Sequence, residues 1–197
     1  MSNRRTTLRA ALVAAATLLP NAAWAHPGHD GSVGFVHGFV HPVTGLDHVL
    51  AMVAVGLFAA QLGGRALWAV PLSFVSVMAL GGVLGMAGVG VPVVEAGIAI
   101  SVIVLGLAIA LQWKAPVAAA TALVGLFAVF HGHAHGAEMP VDASGLAYGL
   151  GFLLATAMLH ALGIALARFG QVATPRTIRI GGAAMAIAGV GILGGFI

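Results

Sequence analysis

The chain has 197 residues, 60% of them hydrophobic and 7% charged, and a mean hydropathy of +1.08. A soluble domain carries about 25% charged residues, so a water-facing globular surface is excluded, and the long apolar runs lack the period-two alternation of a membrane barrel. The net charge of +3 and the pI near 10.7 do not point to nucleic acid, because the basic residues form no stripe, and the absence of cysteine rules out disulfides and thiolate metal sites.

Residues 1–25 read as a secretory signal. Arg4, Arg5 and Arg9 give a positive start, Leu8 to Leu19 an apolar core, and Ala23-Trp24-Ala25 a small-x-small cleavage site. Cleavage there makes His26 the mature N-terminus; an uncleaved signal anchor is the alternative. Residues 26–41 then form a histidine-containing periplasmic segment. In it, His26, His29 and Asp30 offer imidazoles and a carboxylate that suit capture of a cation, with an ordinary tail as the alternative.

Six further apolar stretches follow in residues 42–197, at about 42–61, 66–87, 92–112, 116–138, 144–168 and 177–197, divided by glycine, proline and charged residues. The expected fold is an all-α integral membrane protein with about six transmembrane helices after a cleavable signal peptide. If the mature N-terminus is periplasmic, Arg65, Lys114, Arg168, Arg176 and Arg179 all fall in cytoplasmic loops, as the positive-inside rule prefers. Both mature ends are then periplasmic, in a multi-pass protein of the bacterial inner membrane. Glycines four apart, such as Gly81 and Gly85, suit close packing of membrane helices.

The first expected span carries a block from His37 through His41 to Asp47 and His48. Pro42 disfavours helical geometry at His41 and suits a first helical turn. The span is therefore expected to begin at Pro42, with His37 and His41 outside it and Asp47 and His48 one to two turns in. An acidic group beside a histidine in an apolar helix needs a cation or a donor, and histidine with carboxylate is a ligand set for a borderline divalent metal. Met52, one turn past His48, lines the same face or fills the core.

Glu95, at the outer start of the third span, reads as an interface residue rather than a ligand. The fourth span ends in the second block, Phe130-His131-Gly-His133-Ala-His135-Gly-Ala-Glu138. On a helix His131, His135 and Glu138 share one face, and His133 points elsewhere. Gly132 and Gly136 weaken that helix, so a solvated histidine-rich loop is the competing reading. His160, deep in the fifth span, is a satisfied core histidine by default, with a relay on an inward path as the alternative. Together the two blocks hold six of the nine histidines and two of the five acidic residues. Such clusters next to apolar spans usually mark an ion path or a reactive site.

These residues resemble the HupE/UreJ family of nickel and cobalt permeases. His41-Pro-Val-Thr-Gly-Leu-Asp47-His48 fits the family's HPxxGxDH pattern, and Phe130 to Glu138 fits FHGxAHGxE. The resemblance covers essentially the whole chain. It implies a secondary permease that moves Ni²⁺ or Co²⁺ inward, often beside hydrogenase, urease or cobalamin pathways. It places function on His41, Asp47, His48, His131, His135 and Glu138. The expected partners are the transition-metal ion as cargo and the lipid bilayer, with no prosthetic group.

No GxxxxGK[ST] phosphate loop is present, so this chain is not expected to hydrolyse ATP. Protonated imidazoles do not bind metal, so uptake is expected to fall below about pH 6. The competing readings are a membrane metal enzyme of the di-metal oxidase or zinc hydrolase type, and a metal sensor or storage partner. Against an enzyme, no serine is near either block, and the oxidases' His-His doublets are absent.

Overall fold

A computed structural model describes residues 31–139, 144–169 and 174–197, with side chains from residue 34 onward. The signal segment 1–25, His26, His29 and Asp30 lie outside the described residues. All seven described elements are α-helices: α1 Gly31–Thr44, α2 Leu46–Leu62, α3 Ala66–Met86, α4 Val94–Ala110, α5 Val117–Ala137, α6 Gly145–Phe169 and α7 Pro175–Leu193. Four of them, α3, α5, α6 and α7, are long and apolar enough to cross a membrane, and α1 and α2 pass that test only as a bent pair. At 17 residues α4 is shorter, about 26 Å at 1.5 Å per residue.

The helix α2 stands at the centre and touches every other helix. Met52, Phe58 and the small residues Ala51, Ala54 and Ala59 are fully buried, as an all-round apolar composition requires of an enclosed helix. The outer faces of α3, α6 and α7 instead expose Leu72, Leu80, Leu150, Leu154, Met158, Ile187 and Val190. An apolar belt of that extent on a chain with this little charge suits a hydrocarbon environment.

Close backbone contact holds the helices in pairs. A Cβ placed on Gly132 of α5 would lie 2.8 Å from the carbonyl carbon of Met78 on α3, and one on Gly81 of α3 would lie 2.6 Å from the carbonyl oxygen of Val129 on α5. Gly56 of α2 and Gly163 of α6 meet in the same way. Tight packing of small residues replaces the hydrophobic effect between helices in lipid, and here it fixes how far the histidine-bearing α5 stands from its neighbours.

The first expected span differs from the one observed. It does not start at Pro42: helix α1 already begins at Gly31 and carries Pro42 in its last turn. The break falls at Gly45, which is extended (φ −85°, ψ 119°), and the helices on either side are bent by 82°. Proline costs a helix little so close to its end, because few backbone bonds remain to be lost. The Thr44 hydroxyl donates to the His41 carbonyl at 2.8 Å and satisfies one of the terminal acceptors. His37 and His41 therefore sit on a helix packed against α6, where Gly38 backs onto Tyr148.

The described basic residues gather at the end opposite the histidine blocks. Arg179 Nε donates to the Ala110 carbonyl at 3.0 Å, and Gln61 donates to the Ala108 and Trp113 carbonyls. Arg65 and Lys114 lie in the turns at that end.

Candidate metal centre

Four helix ends build the site. The last turn of α1 brings His41, the first turn of α2 brings Asp47 and His48, the first turn of α4 brings Glu95, and the end of α5 brings His131, His135 and Glu138. They line one cavity of about 250 Å³, together with Thr44, Gly45, Ile98 and Ala134. A second cavity of about 230 Å³ adjoins it, lined by His37, Val40, His41, Thr44, Glu138 and Tyr148.

The second block is helical through Ala137, so the loop reading of it does not hold. Gly132 and Gly136 do not loosen α5: each packs onto the α3 backbone at Met78 or Gly82, where a larger residue has no room. His131 and His135 share the inward face, and Glu138 follows at the helix end. His133 faces away and donates from Nε2 to the Val89 carbonyl at 2.7 Å, tying the α3–α4 loop to α5.

The donors form two groups that share His135. At the mouth, His41, His135 and Glu138 offer ligand atoms within 4.8 Å of one another, and His41 Nε2 lies 3.0 Å from Glu138 Oε2. The side chains of His41 and Glu138 are 39% and 54% exposed. Below the mouth, His48 and His131 are 1% and 0% exposed. His48 Nδ1 lies 3.2 Å from His131 Nδ1 and 3.0 Å from His135 Nε2.

These spacings have a chemical meaning. Imidazole nitrogens bind first-row divalent ions at about 2.0–2.1 Å, so adjacent ligands on one ion stand roughly 3.0–3.4 Å apart. His48 Nδ1 already stands at that separation from each of its two neighbours, His131 Nδ1 and His135 Nε2. Phe152 packs on His48 and His135 with centroids 5.4 and 4.4 Å away, and Phe74 packs on His131 at 5.7 Å. The aromatic walls keep the buried group in an apolar setting, where a cation must exchange water for nitrogen ligands.

Asp47 reaches the cavity wall, but its Oδ1 accepts from the backbone N–H of His48 at 2.7 Å. It thus serves the start of its own helix as well as the cavity. His160 also packs on Phe74, with centroids 5.3 Å apart. It is 1% exposed, and neither ring nitrogen has a hydrogen-bond partner among the described residues. It is therefore not the satisfied core histidine of the default reading.

Three residues of the site escaped the sequence reading. Glu95 lines the cavity rather than an interface; its position at the same outer end as both histidine blocks was the available signal. Ser101 and Thr156 are fully buried hydroxyls bonded to His131 and His48. A single hydroxyl in an apolar helix gives no pattern that would single it out.

Known proteins resemble this chain over most of its length. The family model described as HupE / UreJ protein matches residues 13–192. Protein HupE of Rhizobium leguminosarum bv. viciae is 50% identical over 183 residues, covering 92% of this chain and 95% of that protein. No solved structure gives a significant match. Both motif blocks, every residue of the cavity and all seven described helices begin within the matched region, and on that ground the chain belongs to the HupE/UreJ family.

Proposed function

We propose that the protein is a secondary permease that takes up Ni²⁺ or Co²⁺ across the inner membrane, through the His/Asp/Glu site described above. The observation that carries this reading is the pair of donor groups hinged on His135. The outer group reaches the surface through His41 and Glu138 and includes a carboxylate, and the inner one is buried and all imidazole. An ion held by His41 and Glu138 can pass to His48 while His135 stays bound, and then to His131 while His48 stays bound, so it is never stripped of all its ligands in one step. Glu95 and Asp47 add negative charge at the same mouth. In this reading His160, beside Phe74, receives the ion or a proton on the inward path. His37 and the tail histidines His26 and His29 raise the local ion concentration outside.

The bent α1–α2 pair and the shorter α4 complete six crossings in this scheme, with the histidine mouth periplasmic and the arginine-bearing end cytoplasmic. The membrane potential supplies about 4.6 kcal/mol per 100 mV for a divalent ion, on the order of a thousandfold accumulation. Binding must remain moderate for the ion to leave, which suits a site built from neutral imidazoles with few carboxylates.

The test is ⁶³Ni²⁺ uptake in cells expressing the wild type, Asp47→Asn and His48→Ala at equal membrane abundance, repeated with ⁵⁷Co²⁺. The expected result is uptake by the wild type and its loss in both variants. A wild type that carries neither ion refutes transport of nickel and cobalt, and uptake that survives both substitutions refutes the site.

A further inference from the structure

The proton positions on the buried imidazoles are set by groups outside the cavity. Ser101 is the only hydroxyl residue in α4 and is fully buried. Its Oγ lies 2.6 Å from the carbonyl oxygen of Ile98 and 2.9 Å from His131 Nε2. A carbonyl oxygen only accepts, and a serine hydroxyl has one proton to give. That proton goes to Ile98, the usual way a helical serine satisfies itself. Ser101 Oγ therefore faces His131 as an acceptor, and His131 Nε2–H donates to it. A neutral imidazole carries one N–H, so the lone pair of His131 is on Nδ1, the atom 3.2 Å from His48 Nδ1.

The second ring repeats the arrangement. Thr156 is fully buried, its hydroxyl is directed at Met78 Sδ at 3.8 Å, and its oxygen lies 3.3 Å from His48 Nε2. The sulfur only accepts, so a Thr156 that gives its proton to it accepts from His48 Nε2–H and leaves His48 Nδ1 with its lone pair. The His48 Nδ1 lone pair then has two neighbours, His131 Nδ1 at 3.2 Å and His135 Nε2 at 3.0 Å, and only His135 can donate to it while Ser101 holds the His131 proton on Nε2.

We propose that Ser101 is a positioning residue for the transported ion: it locks His131 in the tautomer whose Nδ1 ligates the cation, and Thr156 does the same for His48. This rests on the transport reading above and adds to it which nitrogens bind and what holds them ready. Without the Ser101 acceptor, His131 gains by moving its proton to Nδ1, where it donates to the lone pair of His48. That bond closes the two ligating nitrogens on each other, and an arriving ion must first undo it.

The experiment uses the full-length protein in detergent, with ¹⁵N-labelled histidine, as wild type, Ser101→Ala and Ser101→Thr. The ¹⁵N shifts of the metal-free protein report which nitrogen of His131 is protonated, and NiCl₂ titration by calorimetry reports binding. In the wild type we expect Nε2 protonated and Nδ1 bare. In Ser101→Ala we expect the proton on Nδ1 and Ni²⁺ binding weakened about 10- to 100-fold, the range typical of lost outer-shell partners. Ser101→Thr, which keeps the hydroxyl, restores both. A wild-type Nδ1 that carries the proton overturns the proposal, whether or not the alanine variant folds. So does an alanine variant with unchanged tautomer and unchanged affinity. A wild type that holds the stated tautomer yet carries no nickel refutes the transport reading and leaves the lock standing.

Discussion

Substituting Gly136 by alanine tests whether the spacing of α3 and α5 sets the geometry of the site. The added Cβ would lie 2.9 Å from the Cα of Gly82 and closer still to its carbonyl oxygen, where ordinary contact begins at 3.4 Å. The obstacle is backbone on both sides, so no side chain can swing away. The helices must part by at least about 0.5 Å, at the usual overpacking cost of about 1–3 kcal/mol. His135 is the adjacent residue on α5, and its 3.0 Å approach to His48 depends on that spacing. Binding geometry tolerates errors of only about 0.5 Å, and a misplacement of about 1 Å can lower a rate by about 10²-fold. Uptake is thus expected to fall about tenfold or more, together with a lower unfolding temperature. Gly149→Ala is the control: nothing lies within 4 Å of its added Cβ, and replacing a helical glycine there gains about 0.5–1 kcal/mol. The assays are ⁶³Ni²⁺ uptake at matched abundance and thermal unfolding in detergent. Wild-type uptake and stability in Gly136→Ala would refute the argument from spacing.

Other substitutions separate the parts of the site. His135→Ala removes the ligand common to both groups and should abolish saturable uptake, whereas His133→Ala, which loses only its bond to Val89, should keep most of it; equal losses would refute the shared-ligand scheme. Glu138→Gln removes the carboxylate facing His41 at the mouth, so the half-saturating Ni²⁺ concentration should rise while the maximal rate changes little, and a lower maximal rate alone would contradict its role in capture. Thr174→Ala removes the side-chain oxygen that accepts from the Thr177 N–H at the start of α7, which should cost about 1 kcal/mol of stability in thermal unfolding without altering the half-saturating concentration.

Much of this was legible in the chain. The apolar runs between Gly63 and Ile197 coincide with α3 to α7 to within a few residues, because their breakers are glycines, prolines and charges with no other place to go. The shared face of His131 and His135 followed from helical spacing alone. The break before Leu46 did not, because Pro42 is the stronger local signal and only packing of α1 on α6 carries the helix past it. Gly132 and Gly136 were ambiguous for a related reason: their partner is the α3 backbone at Met78 and Gly82, 50 or more positions away, and no local rule points to it. Glu95, Ser101 and Thr156 were missed because the histidines they face are on other helices. Their roles exist only once α4 and α6 are set against the histidines of α2 and α5.

The bend at Gly45 also decides which end of a helix the cation meets. Because α2 starts at the cavity, its unpaired backbone N–H groups, equivalent to about half a positive charge, stand beside the ion's route. Asp47, in that first turn with its Oδ1 on the His48 N–H, is the counterweight. Most of its charge is absorbed by its own helix, leaving Glu95 and Glu138 as the net negative charge of the mouth. Such a mouth draws a divalent ion in with two carboxylates rather than three. Discrimination then falls to the imidazoles, which alkali and alkaline-earth ions do not favour.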